Sequence, residues 1–202
     1  MTKIKVTYFD MNGGRGEPIR LVLHCMGQDF EDDRFSFNEF AEVRKGTPFG
    51  QVPVVELEGE QVTQCNALGR YFAKQAGLYP EDAYQALLCD EVMDAIEDVT
   101  HKLGGTLFLE GEALKNARER IVAGPITQIL KWLDARLTKQ GGEYFADNRL
   151  TIADLKAFVF TQWLCSGMLD HIPASLVPDM APALLAHLER VTSDPKIKSY
   201  YE

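Results

Sequence analysis

Residues 3–27, KIKVTYFDMNGGRGEPIRLVLHCMG, hold the turn on which the fold depends. Within Lys3 to Tyr8, Ile4 and Val6 recur at period two, the pattern of a strand, and the stretch runs into Gly13, Gly14, Arg15 and Gly16, a loop signal. A helix follows. Pro18 sits where proline is tolerated in a first turn, Ile19, Leu21, Val22, Leu23 and Met26 supply an apolar face, and Gly27 stops it. Outward from this β-α unit, Asp29 to Phe35 reads as a second strand and Phe37 to Lys45 as a short irregular helix. Val52 to Leu57 with Gln61 to Gln64 form a hairpin around Glu58 and Gly59, and a helix runs from about Asn66 to Gln75. The order β-α-β-α-β-β-α is an α/β layer on a mixed sheet.

Gly77, Leu78, Tyr79 and Pro80 break that pattern, which divides the chain into an α/β domain over 2–79 and an all-α domain over 81–202. Past the break, Leu88, Val92, Ile96, Val99 and Leu103 form one stripe of a long helix. Leu114, Ala117 and Ile121 continue the period, Gly124 and Pro125 kink or restart it, and Ile129, Trp132, Leu133 and Leu137 resume it. Thr151, Ile152, Ala153 and Asp154 make a capping-box start, with Leu150 placed to staple onto Leu155.

The 202 residues, 46% hydrophobic and 25% charged, suffice for a real core in each domain. A net charge of −9 opposes the counterion release that drives polyphosphate binding, so nucleic acid is not expected as a partner. Neither an 18-residue apolar run nor a charged-then-apolar leader occurs; a cytoplasmic protein with no membrane span is expected. Cys25, Cys65, Cys89 and Cys165 lie far apart without a C-x-x-C pair, and His24, His101, His171 and His187 form no H-E-x-x-H pattern. Zinc, redox-dithiol and metalloprotease readings therefore lack support, as do P-loop and α/β-hydrolase readings.

Three clusters carry a resemblance. They are Tyr8 and Phe9 ahead of Gly14-Arg15-Gly16-Glu17-Pro18-Ile19-Arg20-Leu21; Pro48-Phe49-Gly50-Gln51-Val52-Pro53-Val54; and Gln64-Cys65-Asn66-Ala67 with Arg70 and Tyr71. Together with Leu150 to Asp154 and Pro195 to Lys198 they resemble the cytosolic glutathione transferases, and most of all the sigma class, which includes glutathione-dependent prostaglandin D synthases. The resemblance spans nearly the whole chain and implies a thioredoxin-like N-terminal domain plus an all-α helical-bundle C-terminal domain, the glutathione transferase fold. It also implies a homodimer that takes glutathione as cosubstrate, with no tightly bound cofactor or metal, and a role in detoxification.

The chemistry follows from thiol ionisation. A free thiol of pKa about 8.5 is only a few per cent thiolate at neutral pH, and the thiolate is the nucleophile. A phenol hydrogen bond and a nearby guanidinium both favour the anion. By resemblance Tyr8 takes the first role, as the catalytic residue, and Arg15 the second. The Val52–Pro53 bond is cis in the family and exposes the Val52 backbone to pair with the cysteinyl backbone of glutathione, while Gln51 completes the motif. Gln64 and Cys65 open a helix whose amides suit the γ-glutamyl carboxylate. The resemblance also implies that Asp98 reaches the γ-glutamyl ammonium of the neighbouring subunit's site.

The chain departs from the family where Cys65 replaces a serine, a thiol being the weaker donor, and where Phe40 replaces a tryptophan and lacks an indole N–H. Arg44 replaces a lysine and keeps the charge. Phe40 has a packing role as an equal alternative to a glycyl-carboxylate role. The electrophile side is expected along Met11, Gly14, Thr100 and Gly105; related prostaglandin synthases carry a tryptophan near Gly104 or Gly105, so a more open wall is implied. On the long helix Asp90, Asp94 and Asp98 repeat at i+4 with Glu97 beside them, either a solvated acidic face or, as in related synthases, a divalent-cation site; no metal is expected here. The expected activity is conjugation of glutathione to small hydrophobic electrophiles, with peroxide reduction or isomerisation on the same thiolate. The alternatives are a prostaglandin D isomerase and a non-catalytic crystallin-like or ligand-carrier relative.

Overall fold

The computed structural model describes residues 4–202. Lys3, at the head of the expected first strand, and Thr2, at the expected start of the first domain, lie outside the described residues. Two compact units result. The described residues up to Tyr79 form the first together with Pro195–Glu202, and Pro80–Asp194 form the second.

In the first unit, β1 (Ile4–Phe9), β2 (Phe30–Phe35), β3 (Val54–Leu57) and β4 (Glu60–Val62) make one sheet in the order β2-β1-β3-β4. β1 runs parallel to β2 and antiparallel to β3, which pairs antiparallel with β4. This is the mixed sheet that the element order predicts and the thioredoxin-like unit that the resemblance implies. Ile4, Val6 and Tyr8 point inward while Lys5 and Thr7 are half exposed, the alternation of a strand with one buried face. The crossover from β1 to β2 is α1 (Glu17–Cys25), with a proline in its first turn. Ile19, Leu21, Val22 and Leu23 are fully buried, each worth about 1.5–3 kcal/mol. Gly27 at φ +67° closes α1, the backbone N–H of Gln28 donating to Leu23 O at 3.0 Å.

The irregular helix is α2 (Phe40–Val43), flanked by single 3-10 turns at Phe37–Glu39 and Arg44–Gly46. The hairpin strand begins at Val54 rather than Val52, since Pro53 has no amide to give the ladder. α3 (Cys65–Gln75) follows.

The second unit is helical throughout: α4 (Ala83–Gly104), α5 (Gly111–Ile121), a π-turn at Val122–Ile126, α6 (Thr127–Lys139), α7 (Ile152–Cys165), α8 (Leu176–Met180) and α9 (Pro182–Ser193). The α4 stripe Leu88, Val92, Ile96, Val99 and Leu103 is buried as predicted, packing on α7, which packs in turn on α9. Pro125 sits inside the π-turn, the restart expected at Gly124 and Pro125. On α5 the expected stripe is only half buried, and the residue it buries is Arg118, whose guanidinium donates to Thr106 Oγ1 at 3.2 Å and to Asp170 O at 2.8 Å. The capping box opens α7, with Asp154 Oδ2 accepting from Thr151 N at 2.8 Å and Thr151 Oγ1 at 2.7 Å.

Residues 195–202, read from the sequence as the end of the helical domain, belong to the first unit. They form α10 (Pro195–Tyr201), which packs on α1 through buried Ile197. Lys196 Nζ donates to Cys25 O at 3.2 Å, and His24 Nε2 lies 3.0 Å from the Ser199 hydroxyl. Cys25 O sits on the last turn of α1, where helical carbonyls lack partners. Among the described residues no helix is long and apolar enough to cross a membrane.

Candidate active site

Tyr8 lies at the end of β1. The β1–β3 ladder stops at Thr7↔Val54, so Tyr8 and the Val52–Pro53 turn both lie just past it on that side. The Val52–Pro53 bond is cis, as expected. Tyr8, Phe9 and Phe35 form a buried cluster against which Met11, Phe40, Val43 and Val52 pack. Two glycines shape the space around the phenol. A Cβ on Gly16 would overlap the Tyr8 ring, and one on Gly14 would overlap its hydroxyl oxygen; Gly14 moreover has φ +65°, a conformation that favours glycine. The Gly-rich loop is therefore a cradle shaped to the tyrosine.

The backbone N–H of Arg15 donates to Tyr8 Oη at 2.9 Å. The resemblance implies a role for Arg15 through its guanidinium; the contact found here is through its main chain. Burial pushes the Tyr8 pKa above its ordinary value, against the Arg15 hydrogen bond and charge, while Cys65 raises it further and Arg20 lowers it. With one acceptor position taken by Arg15, the phenol keeps a single proton to donate.

Arg20, buried against Tyr8, is the candidate site residue that sequence reasoning missed. Fully buried on α1, it donates through Nε to Asp32 Oδ1 at 2.8 Å and through Nη1 to Met11 O at 3.0 Å. Its Nη2 donates to Phe9 O at 3.4 Å, and Cζ stands 5.6 Å from the Tyr8 ring centroid. The available signal was a charge set among Ile19, Leu21, Val22 and Leu23 with Glu17 three residues before it, since an interior arginine requires a partner.

Other expected residues gather in the first unit. Phe40 stacks in the aromatic cluster, 5.1 Å from Phe9 and 6.3 Å from Phe35, and carries the Arg44 guanidinium over its face at 5.3 Å. Packing is thus part of its role. Gly50, at φ +62°, comes so near Arg44 that an added Cβ would stand 3.3 Å from Nη2. Gln51, next in the chain, is exposed. Gln64 adopts φ +70° ahead of α3 and makes no side-chain cap. Cys65 is half buried, its thiol donating to Asn66 Oδ1 at 3.7 Å.

In the second unit Asp98 is exposed on α4. Thr100 is buried, its hydroxyl donating to Ile96 O at 2.9 Å, and Gly105 is the exposed C-cap of α4. Glu97 accepts from Lys156 Nζ at 2.6 Å, which separates it from the acidic row it was grouped with. Among the described residues no group of three His, Cys, Asp or Glu side chains is placed to hold a metal ion.

Residues 4–74 match the family described as glutathione S-transferase, N-terminal domain, and residues 97–202 match glutathione S-transferase, C-terminal domain. The chain belongs to the glutathione S-transferase family. It is 34% identical over 209 residues to glutathione S-transferase 1 of Ascaris suum, covering 99% of this chain and 96% of that one. Hematopoietic prostaglandin D synthase of Gallus gallus is 30% identical over 206 residues, covering 100% and 96%. Among solved structures, prostaglandin synthase D of Nilaparvata lugens superposes with a TM-score of 0.86 at 28% identity, covering 98% of this chain and 96% of that one.

As a glutathione S-transferase the chain is an enzyme of a family that uses glutathione as substrate. The family fold accounts for the position of Tyr8 at a strand end beside a cis-proline turn. Cys65 places a weak donor at the head of α3, and Phe40 packs into the aromatic cluster.

Proposed function

We propose that this transferase holds the sulfur of glutathione as a thiolate against Tyr8 and adds it to small hydrophobic electrophiles. The observation that carries the proposal is the Tyr8 hydroxyl, which accepts from the Arg15 amide at 2.9 Å and so offers its one proton outward. The thiol loses its proton to solvent, the thiolate attacks an electrophilic carbon to form the C–S bond, and with an aryl halide the halide leaves with the bonding pair. The backbone of Val52 pairs with the cysteinyl unit as an added strand. The backbone at the head of α3, at Gln64 and Cys65, takes the γ-glutamyl carboxylate. Arg44, steadied over Phe40, and Gln51 serve the glycyl end. Met11 and Gly14 border the electrophile near the sulfur. In a homodimer Asp98 serves the γ-glutamyl ammonium in the other subunit's site. A sigma-class, cytoplasmic detoxifying enzyme without a tightly bound cofactor is the corresponding biological reading.

Replacing Tyr8 by phenylalanine tests this. Turnover of a chromogenic aryl halide below the thiol pKa should fall about tenfold or more, the factor that one pKa unit represents. Unchanged turnover removes Tyr8 from the mechanism. A prostaglandin D isomerase reading has support in relatives of that name, and a glycine, Gly104 or Gly105, where the resemblance implies a tryptophan opposes it; assay with a prostaglandin endoperoxide decides. A crystallin-like role predicts no calorimetric glutathione binding at millimolar concentration.

A further inference from the structure

Glu17 and Tyr201 take no part in the thiol chemistry above, yet they join the C-terminal helix to Tyr8 through an unbroken set of contacts. Tyr201 Oη donates to Glu17 Oε1 at 3.0 Å, across 184 residues of sequence. Glu17, fully buried, receives Arg20 Nη1 at 3.4 Å on its other oxygen. Arg20 in turn grips the carbonyls of Phe9 and Met11, on the strand end that presents Tyr8, and stands over the Tyr8 ring. We propose that Tyr201, Glu17 and Arg20 are positioning residues for Tyr8, which makes the last helix of the chain part of the machinery that ionises the thiol. This deepens, and rests on, the assignment of Tyr8 as the hydrogen-bond donor to the sulfur.

The arrangement exceeds what stability alone asks for. Interior ion pairs are often replaceable by apolar side chains without loss, so a fully buried cation beneath an aromatic ring is weak evidence of a stabilising role. Its charge does act on the ring above it. Facing Tyr8 are Arg15 and Arg20, which favour its anion, and Cys65, which opposes it. Facing Glu17 are Arg20, Arg34, Tyr200 and Tyr201. Asp32 completes the set by pairing with both Arg20 and Arg34, at 2.8 and 2.7 Å. Burial pushes the Glu17 carboxyl upward, and Arg20 and the Tyr201 hydroxyl pull it back. Glu17 thus both fixes Arg20 and offsets part of its field. Without that negative charge the guanidinium acts more strongly on the phenol and on the thiolate it holds.

The experiment is an absorbance titration of the thiolate of bound glutathione in the full-length protein, with Glu17→Gln and Tyr201→Phe beside the wild type. Glu17→Gln keeps the shape and removes the charge; the thiol pKa should drop by about half a unit. Tyr201→Phe removes only the hydroxyl that holds Glu17 ionised, and should move the thiol in the same direction by less. A merely structural role would lower the melting temperature and leave the bound thiol's pKa in place. If Glu17→Gln does not fold, Tyr201→Phe decides by itself, since its ring is retained on a partly exposed helix. Two variants that bind glutathione with the wild-type thiol pKa overturn this inference alone. A wild-type protein whose bound thiol titrates as it does in free solution overturns the assignment of Tyr8 and this inference with it.

Discussion

Gly16 faces the Tyr8 ring with no space left for a Cβ. Its backbone is ordinary right-handed helix, φ −79° and ψ −32°, so alanine would suit the main chain and fail only against the ring. Gly16→Ala therefore separates ring position from backbone strain. It should displace the phenol, lower kcat with an aryl halide, and destabilise the protein by about 1–3 kcal/mol in urea unfolding, the usual effect of overpacking.

Arg15 contributes its amide whatever its side chain. Arg15→Ala should keep the 2.9 Å hydrogen bond to Tyr8 while removing the charge. The bound thiol's pKa should then rise by about half a unit, less than in Tyr8→Phe. An effect of Arg15→Ala as large as that of Tyr8→Phe would place the guanidinium, and not the phenol, at the sulfur.

The pH dependence has a definite sign. Burial disfavours the phenolate, so the Tyr8 pKa moves up from its ordinary value of 10.0 and the hydroxyl remains a donor throughout the working range. Deprotonating the thiol is the only step that should control kcat/KM there. The profile should rise through the thiol pKa to a plateau and show no alkaline fall below the ordinary tyrosine value; a fall with an apparent pKa near 9 would mean that Tyr8 ionises early.

Asp154 concentrates four donors. It accepts from Thr151 N and Oγ1, from Phe145 N at 3.0 Å, and from His187 Nε2 at 3.0 Å, with both ionisable side chains fully buried. Asp154→Ala strands all four, and unfolding in urea should show a loss of about 3 kcal/mol or more. Thr151→Val, which removes one cap partner, should lose only about 1 kcal/mol.

Thiol labelling offers a separate check on the glutathione site. Burial pushes the Cys89 thiol up to about 12, Cys25 is buried, and Cys165 is half exposed with its pKa raised by burial. Cys65 should therefore react first with iodoacetamide, as read by peptide mass spectrometry. Glutathione should protect Cys65 and leave the rate at Cys165 unchanged.

Much of the architecture was legible because its signals are local. The alternation of Ile4, Val6 and Tyr8, the stripe from Leu88 to Leu103, and the capping box at Thr151 each depend on residues a few positions apart, where strand and helix geometry dictate the spacing. The cis bond at Pro53 and the candidate site residues came from matching motifs. Arg20 was quoted among those motifs, and its apolar neighbours signal burial, but no local pattern says that its charge would lie against Tyr8.

The sequence by itself determined a β-α-β-α-β-β-α unit followed by helices, the family, and a tyrosine at the end of the first strand. Tertiary structure alone decided that α10 packs on α1, that Tyr201 reaches Glu17, that Lys156 takes Glu97, and that the Arg15 main chain serves the phenol. The physical reason is reach. Periodic burial is written into each short stretch, whereas the partner of a buried charge is chosen only when segments far apart in the chain exclude water together.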